Sequence, residues 1–195
     1  MKRALFLILM IPLQLWSMIW TVDQSGSGNW LHIQEAVDVA ASGDTVLVFP
    51  GEYFENIDIV EKDLSLWSTY TSDPQPEIIE QTIIHGRPID SAVMADGCDF
   101  IEINGFTIMN NYPDSSLVLS GISSVLPGGG IYLKSNCYTV LLENCIIKNC
   151  IATAGGGIAS DVHYLWLSNL NIYDNRAIFG GGEGSILQVE IQILR

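Results

Sequence analysis

Cys98-Asp-Phe-Ile-Glu-Ile-Asn-Gly-Phe-Thr-Ile-Met-Asn-Asn111 and Cys137-Tyr-Thr-Val-Leu-Leu-Glu-Asn-Cys-Ile-Ile-Lys-Asn-Cys150 carry one pattern twice. A shift of 39 residues lays Cys98 on Cys137, Ile101 on Val140, Ile103 on Leu142, Phe106 on Cys145 and Ile108 on Ile147. A further shift of 25 takes Val140 to Leu165, Leu142 to Leu167, Cys145 to Leu170 and Ile147 to Ile172. The same step carries Ala152 to Ala177 and Gly155-Gly156-Gly157 to Gly180-Gly181-Gly182, and an earlier triplet stands at Gly128-Gly129-Gly130. Two tracks, apolar pairs and glycine triplets, therefore repeat together.

A period near 25 residues, built of short apolar segments, describes strands stacked turn upon turn. Residues two apart, such as Val140 and Leu142, face one side of a strand, and that side must be the shared interior. Glycine triplets fit places where φ is positive or where backbone meets backbone. The longer step is the same unit with an excursion, Tyr112 to Pro127. Towards the front, Val46 to Phe49, Ile57 to Ile59, Leu64 to Trp67, Ile78-Ile79 and Thr82 to Ile84 read as further short apolar segments between turn residues. The exception is Trp30 to Ala41, where Ile33, Ala36, Val37 and Ala40 fall on one helical face. Asn29 suits its N-cap and Gly43 its stop, and no other helix is expected beyond Thr45. The reading is all-β, with a strand and capping helix over 18–45 and stacked strands over 46–195.

The opening is an address. Lys2 and Arg3 precede an apolar run from Ala4 to Leu15, broken by Pro12 and Gln14, and Ser17 follows. That is the layout of a secretory signal peptide over 1–17, too short and interrupted for a membrane anchor. The chain of 195 residues has 8 Lys and Arg against 22 Asp and Glu, a net charge of -14. Without clustered cations a nucleic-acid partner is excluded, and an apolar content of 48% excludes disorder.

Thr21-Val-Asp-Gln-Ser-Gly-Ser-Gly-Asn-Trp30, Ile33-Gln-Glu-Ala-Val37, Gly43-Asp-Thr-Val-Leu-Val-Phe-Pro-Gly-Glu-Tyr53 and Glu55-Asn56-Ile57 are similar to the opening of pectin methylesterases. The Gly-Gly-Gly-Ile stretches at Gly128 and Gly155 resemble the repeats of polymorphic outer-membrane and adhesin-like bacterial proteins. Both belong to the pectin-lyase-like superfamily. The resemblance implies a single-stranded right-handed parallel β-helix, a solenoid secreted or held at a bacterial surface. It also implies an asparagine ladder at Asn111 and Asn175, interrupted by Cys150.

Activity is less legible. Enzymes on this fold need carboxylates that converge from neighbouring turns. Glu102 maps to Leu141, Asp99 to Tyr138, Asp96 to Ser135 and Glu143 to Ser168, so no acidic ladder emerges. Lys134, Lys148 and Arg176 do not form a basic cluster. Asp96-Gly97-Cys98-Asp99 reads as a turn rather than a calcium loop, and His32, His85 and His163 lack metal-ligand spacing. No catalytic, metal or cofactor residues are assigned. The expectation is a non-catalytic polysaccharide-binding or adhesin-like module, the alternative a pectin methylesterase or polysaccharide lyase. Tyr138, Tyr164, Trp166 and Tyr173 are candidates to stack on sugar faces, with Tyr132 beside them. Trp166, between two inward leucines, turns outward by alternation or packs beneath a loop.

Cys98 and Cys137 occupy equivalent places, and adjacent strands lie ~4.8 Å apart, so a disulfide or a stack of thiols is expected there. Cys145 reads as a buried small apolar residue, unbridged to Cys150. Ile186 to Arg195 alternates apolar and polar residues and then stops. No capping repeat follows, which points to a truncated frame, a fragment, or self-association through an open last turn.

Overall fold

The computed structural model describes residues 17–87, 90–110, 128–153 and 155–177. The 1–17 signal segment (apart from Ser17), the Tyr112–Pro127 excursion, Asn111, the third glycine triplet and the terminal segment from Ile186 lie outside the described residues.

The front holds β1 (Ile19–Val22) and α1 (Ile33–Val39). Then strands follow in threes: β2 (Asp44–Val48), β3 (Gly51–Tyr53), β4 (Ile57–Val60); β5 (Leu64–Ser68), β6 (Thr82–His85), β7 (Val93–Asp96). Next come β8 (Phe100–Asn104), β9 (Thr107–Asn110), β10 (Ile131–Leu133); β11 (Thr139–Glu143), β12 (Ile146–Ala152), β13 (Ile158–Ser160). The last are β14 (Tyr164–Ser168), β15 (Asn171–Tyr173) and β16 (Arg176–Ala177). Among the described residues all pairings are parallel: three sheets run β1-β2-β5-β8-β11-β14, β3-β6-β9-β12-β15 and β4-β7-β10-β13, and β16 pairs with the end of β12 beside them. The chain thus visits each sheet in turn and returns one place further along.

The register is the one the repeat implies. Ile101 pairs with Val140 and Val140 with Leu165, while Ile103 pairs with Leu142 and Leu142 with Leu167. Alternation puts one face of each strand inside: Leu64, Leu66, Ile101, Ile103, Val140 and Leu142 are all fully buried. A fully buried side chain of this size contributes about 1.5–3 kcal/mol. The glycine triplets lie backbone on backbone, with Gly129 N–H donating to the Gly155 carbonyl and Gly130 N–H to that of Gly156, each at 3.2 Å. Close backbone approach, rather than positive φ, is their use at Gly129 and Gly130.

Three expectations are corrected. The cap helix starts at Ile33, not Trp30, and Asn29 does not cap it. Asn29 Oδ1 accepts instead from Thr21 N and Oγ1, and the Glu55 carboxylate accepts from Ile33 N and Gln34 N at 2.9 Å each. At the other end Lys62 Nζ donates to the carbonyls of Val37 and Ala40. Second, a helix does follow Thr45: α2 (Pro76–Gln81), which contains Ile78 and Ile79. Pro76 pre-sets its first turn, and a 3-10 turn at Thr69–Thr71 precedes it. Third, a bulge in β12 pairs Cys150 with Asn110, so Asn110 rather than Asn111 stands in line with Cys150.

Candidate functional site

Alternation that sends one set of residues inward presents the other set on the outer face of the first sheet. One row crosses six strands: Ile19, Thr45, Ser65, Glu102, Leu141 and Trp166. A second runs Thr21, Leu47, Trp67, Asn104, Glu143 and Ser168. Trp166 is 65% exposed, which settles its direction as outward, and Tyr164 and Tyr138 are 53% and 50% exposed. Tyr138 and Tyr164 meet edge to face with centroids 5.3 Å apart, and the His163 ring lies tilted by 30° with its centroid 5.3 Å from that of Tyr138. Such packing fixes ring orientation before any ligand arrives. Three of the four aromatic candidates therefore share one sheet and its edge. Tyr173 does not join them: it lies on β15 in the second sheet, and Tyr132 lies on β10 in the third.

Carboxylates converge on this face after all. Asn104 Nδ2 is 3.4 Å from Glu102 Oε1 and 3.3 Å from Glu143 Oε2, so acids from adjacent strands reach one amide. The equal-position mapping holds, Glu102 beside Leu141 and Glu143 beside Ser168. The two glutamates meet diagonally, and diagonal neighbours on a sheet are within reach of long side chains. Comparing i with j ± 2 instead of i with j would have found them. Next to them stands a ladder of amides; the 25-residue step aligns Asn144 with Asn169, but the 39-residue step leaves Asn104 one place short of Asn144. Asn144 Nδ2 donates to Asn104 Oδ1 at 2.9 Å, and Asn169 Nδ2 to Asn144 Oδ1 at 2.8 Å. Asn144 and Asn169 turn this corner with φ of 51° and 50°, where Gly105 has 91°. Asparagine tolerates that left-handed conformation better than most residues.

The other singled-out groups are structural in their surroundings. Asp96 accepts from Lys134 Nζ and Asn136 Nδ2, and these bonds hold its carboxyl below the usual range. Among the described residues no three His, Cys, Asp or Glu side chains are gathered to hold a metal. Cys98, Cys137, Cys145 and Cys150 are buried free thiols. Burial and the neighbouring Cys137 thiol push Cys98 up to about 12, and burial pushes Cys150 up to about 12 and Cys145 to about 11. Thiols this protonated and this enclosed are poor nucleophiles.

No protein-family model, curated protein or solved structure matches this chain. Among the described residues no helix is long and apolar enough to cross a membrane.

Proposed function

We propose that the protein is a right-handed parallel β-helix of pectin-lyase-like type, exported to a bacterial surface, whose first sheet binds polysaccharide without transforming it. The observation that carries this reading is the exposed cluster Tyr138, Tyr164 and Trp166 beside the carboxylates and amides of Glu102, Glu143, Asn104 and Asn144. Flat aromatic faces take the C–H faces of sugars, and the acceptors and amides beside them take hydroxyls. Burying one such ring on a ligand stabilises the complex by about 1–3 kcal/mol.

The convergence of Glu102 and Glu143 favours one second reading, a carbohydrate-active enzyme in which the pair serves as acid and base. A single experiment separates the two. The protein is incubated with a panel of plant and bacterial glycans, and both bound sugar and released product are measured. Binding alone predicts retention without product, and Trp166→Ala weakens retention roughly tenfold or more. Catalysis predicts product that Glu102→Gln and Glu143→Gln each suppress. Retention unaffected by Trp166→Ala would refute the binding face.

A further inference from the structure

The four cysteines differ in what they face. Phe100 of β8 pairs with Thr139 of β11, and two places back along the same two courses stand Cys98 and Cys137. Tyr138 N–H donates to the Cys98 carbonyl at 2.8 Å and Thr139 N–H to that of Asp99 at 3.0 Å, so the parallel register continues to the cysteines. Neighbouring strands set such residues about 4.8 Å apart, within the roughly 4.4–6.8 Å between Cα atoms that a disulfide spans. Both side chains turn inward, 1% and 0% exposed, and the two thiols are hydrogen-bond neighbours. Cys98 Sγ also reaches the carbonyls of Ile59 and Asp96, at 3.6 and 3.4 Å. Thiols are weak donors, so little is lost when that proton leaves.

Cys145 and Cys150 face other groups. Ile146 N–H donates to the Phe106 carbonyl and Asn171 N–H to the Cys145 carbonyl, which places Phe106 and Leu170 level with Cys145 in the adjacent coils. Cys150 pairs with Asn110, and its N–H donates to Asn175 Oδ1. Along their own course the two cysteines stand over about 10 Å apart, beyond the reach of a disulfide. The position of the first pair gives it leverage. In a stack held by contacts between nearest coils, opening begins at an end and spreads coil by coil. Cys98 to Cys137 encloses one full coil, β8, β9 and β10, with two coils of strands described on either side.

We propose that Cys98 and Cys137 form a covalent clamp between neighbouring coils, closed by exchange with a disulfide-bearing oxidant as the chain folds. One cysteine, as thiolate, attacks a sulfur of the oxidant and expels a thiol; the other attacks the resulting mixed disulfide and expels the second. One S–S bond breaks and one forms, and the two electrons and two thiol protons leave with the oxidant. The exchange belongs to folding, because the closed coils enclose both thiols. That the chain meets such an oxidant rests on the export proposed above, but the test supplies the oxidant and does not depend on sugar binding. Reduced protein would be refolded from urea with oxidised and reduced glutathione, then denatured, alkylated and digested. Trypsin with a glutamate-specific protease cuts at Lys134, Glu143 and Lys148, which separates the peptides of Cys137, Cys145 and Cys150. The expected map joins the Cys98 and Cys137 peptides, with Cys145 and Cys150 alkylated. The oxidised protein should melt about 8 °C above the reduced one, and Cys137→Ala should remove that difference. Four alkylated cysteines, a link through Cys145 or Cys150, equal melting of the two forms, or a difference that survives Cys137→Ala overturns the proposal.

Discussion

Gly129→Ala is expected to prevent folding, or to cost at least about 4 kcal/mol where folded protein can be recovered. A Cβ at this position would lie 2.4 Å from the Gly156 carbonyl oxygen and 2.9 Å from that of Ile151. Both obstacles are backbone in the next layer, so no rotamer change relieves them. The whole stack from Gly156 onward would have to move while the Gly129–Gly155 and Gly130–Gly156 hydrogen bonds hold it in place. Gly43→Ala is the comparison. Gly43 has φ of 89° with nothing within 4 Å of its would-be Cβ, so the change costs only the left-handed penalty of about 1–2 kcal/mol. Urea unfolding of the two variants checks this. Similar losses at both sites would mean that glycine flexibility, not layer-on-layer contact, underlies the triplets.

Asp44→Ala should cost about 3 kcal/mol at pH 7. The Asp44 carboxylate is buried and accepts from Met18 N at 2.8 Å, Trp20 Nε1 at 3.0 Å and Ala41 N at 2.9 Å, tying β1 and the end of α1 to β2. Burial alone would raise its pKa, but the hydrogen bonds from Met18, Trp20 and Ala41, helped by Lys62, outweigh burial and leave it lowered. The bonded form is the charged one. Its contribution is therefore complete above the unfolded value of about 3.9 and is lost as pH falls through the lower folded value. Denaturation at pH 7 should separate wild type from variant fully, and the gap should narrow on acidification below about pH 4. A gap that stayed constant would show that the carboxylate's charge plays no part.

The stacking was legible because burial acts identically on every layer. Val140, Leu142, Leu165 and Leu167 keep apolar side chains at matched positions, so a simple shift of the sequence reveals register. What lay at unequal positions was lost. The bulge in β12 moved the Asn110–Cys150 correspondence by one residue, and the amide ladder joins Asn104 to Asn144, which differ by one place in the repeat. Glu102 and Glu143 meet only diagonally. The start of α1 was misplaced because its cap comes from Glu55, more than twenty residues away, rather than from the local Asn29. Layers are set by a repeated pattern; the surface on them is set by pairs that no single strand contains.

Spin labels at Ile19→Cys and Trp166→Cys give the most direct test of the register. Both sites are exposed, and the four native thiols are enclosed and should remain unlabelled in the folded protein. Ile19 and Trp166 end one row across six parallel strands. The account predicts a single narrow distance near 24 Å, shortening by about 5 Å when the second label moves to Leu141. A broad distribution, or a distance that fails to shorten on that move, would contradict it.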